Sequence, residues 1–202
     1  MKENNSAEIV AQSMELYRRG NEYVAQNKAD EARLCFHEAL DKGYVNFKSL
    51  LATAMVEKAR GNKEEVLHLL KWACETNPEA NVTRKLYLEE LFEQKKYEEG
   101  WTYLLEQDEI FDKESRVYLE IKSRFASALK MKEPAKEAFL KLYEKYECRE
   151  AALSLAVFAL AEKQPEAAKK YLELILKEGQ DEEASKSLLY AAAVELQELC
   201  VQ

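Results

Sequence analysis

The feature that most constrains this chain is a set of small and apolar residues that recurs in a register of 34 positions. In the stretch GNEYVAQNKADEARLCFHEAL, residues 20–40, Gly20 stands inside a helical pattern. Ala32, Phe36 and Ala39 follow on one helix face at i, i+4 and i+7. Numbered from Ser13, Gly20 is position 8, Tyr23 position 11, Ala32 position 20, Phe36 position 24 and Ala39 position 27. A restart at Phe47 puts Ala54 at 8, Val66 at 20, Leu70 at 24 and Ala73 at 27. A restart at Asn81 puts Leu91 at 11, Gly100 at 20 and Leu104 at 24. A restart at Arg149 puts Ala156 at 8, Ala168 at 20, Leu172 at 24 and Ile175 at 27.

Small residues at positions 8 and 20 imply two helices that approach closely there. Glycine inside a helix costs about 1 kcal/mol relative to alanine, and close packing offsets that cost. Gly20 and Gly100 fall at these crossings, whereas Gly43, Gly61 and Gly179 fall at expected helix ends or turns. Pro78 follows an expected helix, and Pro134 and Pro165 suit the first turn of one. With only 5 Gly and 3 Pro in 202 residues, rich in Glu, Lys, Ala and Leu, the chain reads as helical throughout.

The register and its residue types resemble the tetratricopeptide repeat, a helix hairpin of 34 residues. The resemblance covers about residues 13–182 and implies an all-α fold, a right-handed α-solenoid of stacked antiparallel helix pairs. The repeats are expected at 13–46, 47–80, 81–114, 115–148 and 149–182, after a polar lead-in at 1–12 that enters the first helix near Ser6. Residues 183–202 form a C-terminal capping helix, with Leu188, Leu189, Ala192, Leu196 and Leu199 on its apolar side. The fourth repeat is irregular, because strict register from Ser115 places Lys122, Pro134 and Lys141 at packing sites. A four-residue slide restores Ala126, Leu129, Ala138 and Leu142 there. It implies a longer connection or first helix around 111–118 and a short connection near YECRE.

Catalytic chemistry is not legible. The two histidines, His37 and His68, lie on second helices of different repeats and read as surface or helix-interface residues. The acidic pairs Glu64–Glu65 and Glu98–Glu99 start second helices, where carboxylates favour the helix dipole. Glu89–Glu90 and Glu182–Glu183 need no catalytic reading either. There is no phosphate-binding loop, calcium loop or nucleophile elbow, so the expectation is no enzyme and no cofactor. The four cysteines (35, 74, 148 and 200) are scattered without metal-ligand spacing, which argues against a metal site and for a reducing, cytoplasmic setting. A net charge of −8 disfavours nucleic acid. The most apolar run, 151–161, is too short to span a membrane.

The resemblance implies that positions 2, 5, 6, 9, 12 and 13 of the first helices line a concave groove. The residues expected to hold a partner are Tyr17, Arg18 and Asn21 in the first repeat and Leu51 and Met55 in the second. Lys85, Glu89 and Phe92 follow in the third, and Leu153 and Val157 in the fifth. A family variant that grips chaperone carboxylate ends needs a set of cations and amides of which only Asn21 is present here, so that activity is not implied. The function expected is a non-catalytic adaptor or scaffold that binds a peptide or protein segment in this groove. The alternatives are a self-associating structural subunit, such as a homodimer, and an accessory domain of a catalytic partner.

Overall fold

The computed structural model describes residues 2–107, 111–176 and 188–200. Among them, eleven helices and no strands occur, in two compact units divided between Lys96 and Tyr97. The first unit holds α1 (Lys2–Ala25), α2 (Ala29–Asp41), α3 (Phe47–Arg60), α4 (Lys63–Thr76) and α5 (Asn81–Glu93). The second holds α6 (Tyr97–Glu106), α7 (Arg116–Ala128), α8 (Lys132–Tyr146), α9 (Arg149–Ala161), α10 (Pro165–Leu176) and α11 (Leu188–Leu199). Within each unit, helices adjacent in sequence pack on one another, as antiparallel hairpins do. Gly179, Glu182–Glu183 and the first part of the expected capping segment lie outside the described residues.

The hairpin turns carry the register more sharply than the apolar positions do. Each places one residue in the left-handed region: Asn27 (φ 57°), Gly61 (φ 79°), Lys95 (φ 60°), Lys130 (φ 58°) and Lys163 (φ 59°). The next residue's N–H donates to a carbonyl five residues back, as in Lys28 to Tyr23, Asn62 to Glu57, Lys96 to Leu91, Met131 to Ala126 and Gln164 to Ala159, at 2.8–3.0 Å. These bonds satisfy carbonyls that a helix end leaves open. The turn residues are 34, 34, 35 and 33 apart, so the fourth hairpin is displaced by one residue.

That displacement corrects the four-residue slide. With the frame opened at Arg116, Ser123 takes position 8, Ala135 position 20 and Leu142 position 27, all at most 2% exposed. Ser123 fits a core position because its Oγ donates to the Glu120 carbonyl at 2.9 Å, which leaves a small, satisfied side chain. The added chain length lies in the connection from 107 to 115, since α7 has an ordinary 13 residues. Only Glu147 and Cys148 separate α8 from α9.

Two further expectations are corrected. Helix α1 begins at Lys2 rather than near Ser6. In α11, Leu199 is 54% exposed, whereas Ala193 and Cys200 are buried against Ala156, Ala168 and Leu172 of α9 and α10. The stripe is rotated by one residue from the expected one, and Leu196 packs at its edge.

The glycine crossings also have a more specific cause than backbone approach. A Cβ on Gly20 would stand under 3.0 Å from ring carbons of Phe36, and one on Gly100 would do the same at Phe125. Both rings are 1% exposed. In each case an aromatic ring occupies the volume that the missing side chain vacates. Ala32, Ala39, Ala54, Ala156 and Ala168 are likewise buried, and Tyr23 packs half-buried beside Phe36.

Candidate protein-binding cleft

Helix α3 carries one wall of an apolar cleft in the first unit. Its start is fixed by a reciprocal cap: the Asn46 side chain accepts from the Lys48 and Ser49 N–H groups at 3.0 Å, and Ser49 Oγ accepts from the Asn46 N–H at 3.2 Å. Its far end is held by Glu57, which is fully buried yet ionic. Glu57 Oε1 accepts from Arg33 Nε at 2.6 Å and lies 2.7 Å from His37 Nε2, while Asn62 holds the other oxygen. Burial alone would raise the Glu57 pKa. The hydrogen bonds from Asn62, His37 and Arg33, with the Arg33 charge, outweigh it and hold the carboxyl below its ordinary value. Thus α2, α3 and the start of α4 are locked together through one carboxylate.

Immediately beside this lock, Val24, Ala29, Phe36, Ala52, Met55, Val56 and Ala59 enclose a cleft of about 340 Å³, with Asn21 and Asn27 as its polar lining. Met55 is the most exposed apolar side chain of the region, at 74%. Asn21 donates from its amide to the Tyr17 carbonyl at 3.0 Å, which steadies the side chain at the cleft.

Of the residues expected in the groove, Asn21 and Met55 come together in this cleft. Tyr17 does not line it: its ring packs 5.7 Å from Phe36 and 5.4 Å from Tyr44, centroid to centroid. Leu51 and Phe92 are half-buried. Lys85 pairs with Glu89 at 3.7 Å, and Arg18 pairs with Glu15 and Glu22. In the second unit, Leu153 packs half-buried against the α9–α10–α11 core, and Val157 is exposed. Position 5 is therefore a packing position (Tyr17, Leu51, Leu153), because its side chain reaches a neighbouring helix. Position 9 opens outward at Asn21, Met55 and Val157.

Sequence reasoning missed Ala29, Ala52 and Ala59, whose short side chains create the space. The only available signal was the spacing of Ala52 and Ala59 by seven residues, on one face of α3. Other exposed apolar residues share the expected inner positions of the first unit: Met14 (51%), Val24 (49%), Val82 (54%) and Leu86 (38%).

Elsewhere, His37 is the interface histidine just described, and His68 is exposed with its ring 6.2 Å from Trp72. All four cysteines are buried, and none forms a disulfide. Among the described residues, no cluster of three metal-ligating side chains occurs, and no helix is long and apolar enough to cross a membrane.

No protein-family model matches the chain, and no curated protein matches it in sequence. Solved structures do. YrrB, described as a tetratricopeptide-repeat protein with an unusual peptide-binding site, is 14% identical, with a TM-score of 0.65 over 98% of this chain and 95% of its own. PilF of Pseudomonas aeruginosa is 19% identical, with a TM-score of 0.59 over 96% and 93%. MamA of Desulfovibrio magneticus is 12% identical, with a TM-score of 0.66 over 87% and 98%. These likenesses establish the tetratricopeptide-type fold: an all-α solenoid of antiparallel helix pairs.

Proposed function

We propose that this protein is a non-catalytic interaction module, an adaptor or scaffold, that binds a peptide or protein segment on the inner-position face of α1, α3 and α5. The observation that carries the reading is the exposure of apolar side chains at those positions. Met14, Val24, Met55, Val82 and Leu86 are all left in water. Exposed apolar surface gathered on one face marks interaction sites more often than solvated ones. The peptide-binding site named for YrrB lends general support, since the fold is shared. Four buried cysteines, none of them in a disulfide, fit a reducing compartment such as the cytoplasm.

Differential affinity capture tests the proposal. A partner retained by the wild-type chain should be lost from a Met55→Glu, Leu86→Glu double variant. It should be kept by Leu34→Glu, which alters an equally exposed apolar residue (65%) on the second helix of the first hairpin. Equal retention by all three rejects the face as the binding surface.

Self-association is the second reading, favoured by Ile9 (41% exposed) and Val10 (51%) on the leading half of α1. Light scattering on the eluting protein tests it: a dimer that Ile9→Glu converts to monomer supports self-association through α1.

A further inference from the structure

We infer that the cleft between α1 and α3 is an anchor pocket for one bulky, uncharged apolar side chain (Leu, Met or Phe) of a bound peptide segment. The inference rests on the binding role proposed above and adds its selectivity.

The argument starts from volume. Ala52 and Ala59 stand seven residues apart on α3, and both line the cleft. A leucine at either position would project its added bulk into the 340 Å³ that their methyl groups leave open. Space of this size is at the lower end of what small ligand sites enclose, enough for a side chain rather than a whole helix. The back of the space is closed by Phe36 and Val56, which are 1% and 7% exposed. Met55, in contrast, is unbranched and solvated, and it can fold over an apolar guest of variable shape.

Charge then selects the guest. No ionisable side chain lines the cleft. The cations on its flanks are committed elsewhere: Arg18 to Glu15 and Glu22, Lys58 to Glu90 and Glu93, Arg60 to Asp30. Lys28 lies 5.8 Å from the Tyr23 ring centroid. A carboxylate or ammonium entering the cleft would lose hydration and gain no counter-charge.

The two polar lining residues, Asn21 and Asn27, favour a peptide over a hydrocarbon chain. A carboxamide offers a donor and an acceptor, which matches the peptide group that necessarily accompanies an anchoring side chain. An acyl chain would displace water from both amides without replacing its hydrogen bonds.

The test is selection of a random peptide display library on the full chain, followed by fluorescence polarisation with the selected peptides. The expected result is a shared Leu, Met or Phe whose replacement by Glu or Lys weakens binding about tenfold or more, as loss of a hot-spot side chain does. Ala59→Leu, which narrows the cleft, should weaken binding by a similar factor at an unchanged melting temperature. Met55→Glu, at a residue 74% exposed, gives the same reading where Ala59→Leu disturbs the fold. A shared acidic or basic anchor whose binding those variants abolish would overturn the selectivity and leave the binding face standing. Peptides that bind both variants as well as wild type would overturn the cleft as anchor site. In that case Leu86→Glu, on α5, reports whether the wider face still binds. Failure to enrich any peptide would sink both readings together.

Discussion

Glu57 in the second repeat and Ala159 in the fifth occupy the same position, 11, on the first helix of their hairpins. Both are buried, one at 0% and the other at 4% exposure. Their surroundings differ in kind. Around Glu57 the first unit also buries Ser49, Thr53, Thr83, Arg84 and Glu90 on α3 and α5. Glu90 in turn receives Lys58 at 2.7 Å and Gln94 at 2.8 Å. Around Ala159, α9 buries Ala151, Ala152, Leu155 and Ala156, with no buried charge. The hairpin scaffold therefore accepts either a satisfied polar network or close alanine packing at equivalent positions. In every repeat at least one of positions 8 and 20 stays small (Gly, Ala or Ser), even where the other is Val66 or Leu88. A network of this kind gives directional ties among α2, α3 and α4, and it is only worth having when every member is satisfied. No buried side-chain nitrogen or oxygen among the described residues lacks a partner.

The largest effect should come from breaking that network. Glu57→Ala strips the carboxylate from Arg33, His37 and Asn62, and removing one member of a buried ion pair costs about 3–5 kcal/mol. Arg33 and His37 keep 37% and 30% of their side-chain surface in water, so the low end of that range applies. Trp72 lies in the first unit and Trp101 in the second, so single-tryptophan variants report each unit separately in urea unfolding. Loss of stability at Trp72 below 1 kcal/mol would show that the network is dispensable and the comparison superficial.

Overpacking comes next, and here the two units should agree. Ala32→Leu and Ala168→Leu each add bulk at a residue that is 0% exposed, at a cost of about 1–3 kcal/mol. Gly20→Ala and Gly100→Ala place a methyl against a buried ring that must shift, a cost partly offset by the roughly 1 kcal/mol gain in helix propensity. Urea midpoints at the tryptophan of the same unit check all four. A cost confined to one unit would mean that the shared register does not carry shared packing.

Acid tests the first unit's network directly. Glu57 and Glu90 are both held below the ordinary carboxylate range; burial raises each, but hydrogen bonds and cations outweigh it. A carboxyl with a depressed folded-state pKa stabilises the protein above its unfolded value, about 4.3 for Glu. That contribution is lost as pH falls through the lower, folded value. In the first unit, the fall in melting temperature below about pH 4.3 should therefore be shallower in Glu57→Gln than in wild type. An identical slope would show that protonation of Glu57 takes no part in acid unfolding. The second unit has depressed carboxyls of its own, Glu150 held by its backbone N–H and the Cys148 thiol, Glu114 by Lys141 and Glu162 by Lys136 and Lys132, so the control is the variant rather than the neighbouring unit.

Much of the fold was legible because its constraints act through residue size. Gly20, Ala32, Phe36 and Ala168 announce a register that no other spacing explains, and the structure adds only that a ring fills the gap. The fourth hairpin was misjudged because Ser123 looks polar in sequence, while in the helix its hydroxyl is satisfied internally. The buried charges were illegible for a related reason. A glutamate in a helical pattern reads as solvated, and Glu57 is buried only because Arg33, His37 and Asn62 converge on it from other segments. The cleft was half visible. Asn21 and Met55 follow from their positions, but Ala52 and Ala59 pass as ordinary helix formers, since absent volume leaves no mark in a sequence.

The smallest effect on stability should come from position 9, where the units look alike. Met55 is 74% exposed and Val157 is 49% exposed, each on a first helix and each short of apolar cover. Met55→Glu and Val157→Glu should each shift stability by no more than about 0.5 kcal/mol, as surface substitutions do. Helix propensity adds a few tenths in favour of Glu over Val at the second site. Their effects on binding should differ. Met55 borders a cleft floored by Phe36, Ala52 and Val56, and a charge there must be desolvated when a partner seats. Val157 borders Leu153 and Leu160, which are turned half-buried into the α9–α10–α11 core. Binding of a captured partner or selected peptide should weaken about tenfold or more in Met55→Glu, the loss expected of a hot-spot residue. In Val157→Glu it should change by less than about twofold, the scale of contacts outside the hot spot. Equal losses, measured by polarisation at matched ionic strength, would extend the binding surface to the second unit and remove the functional side of the comparison.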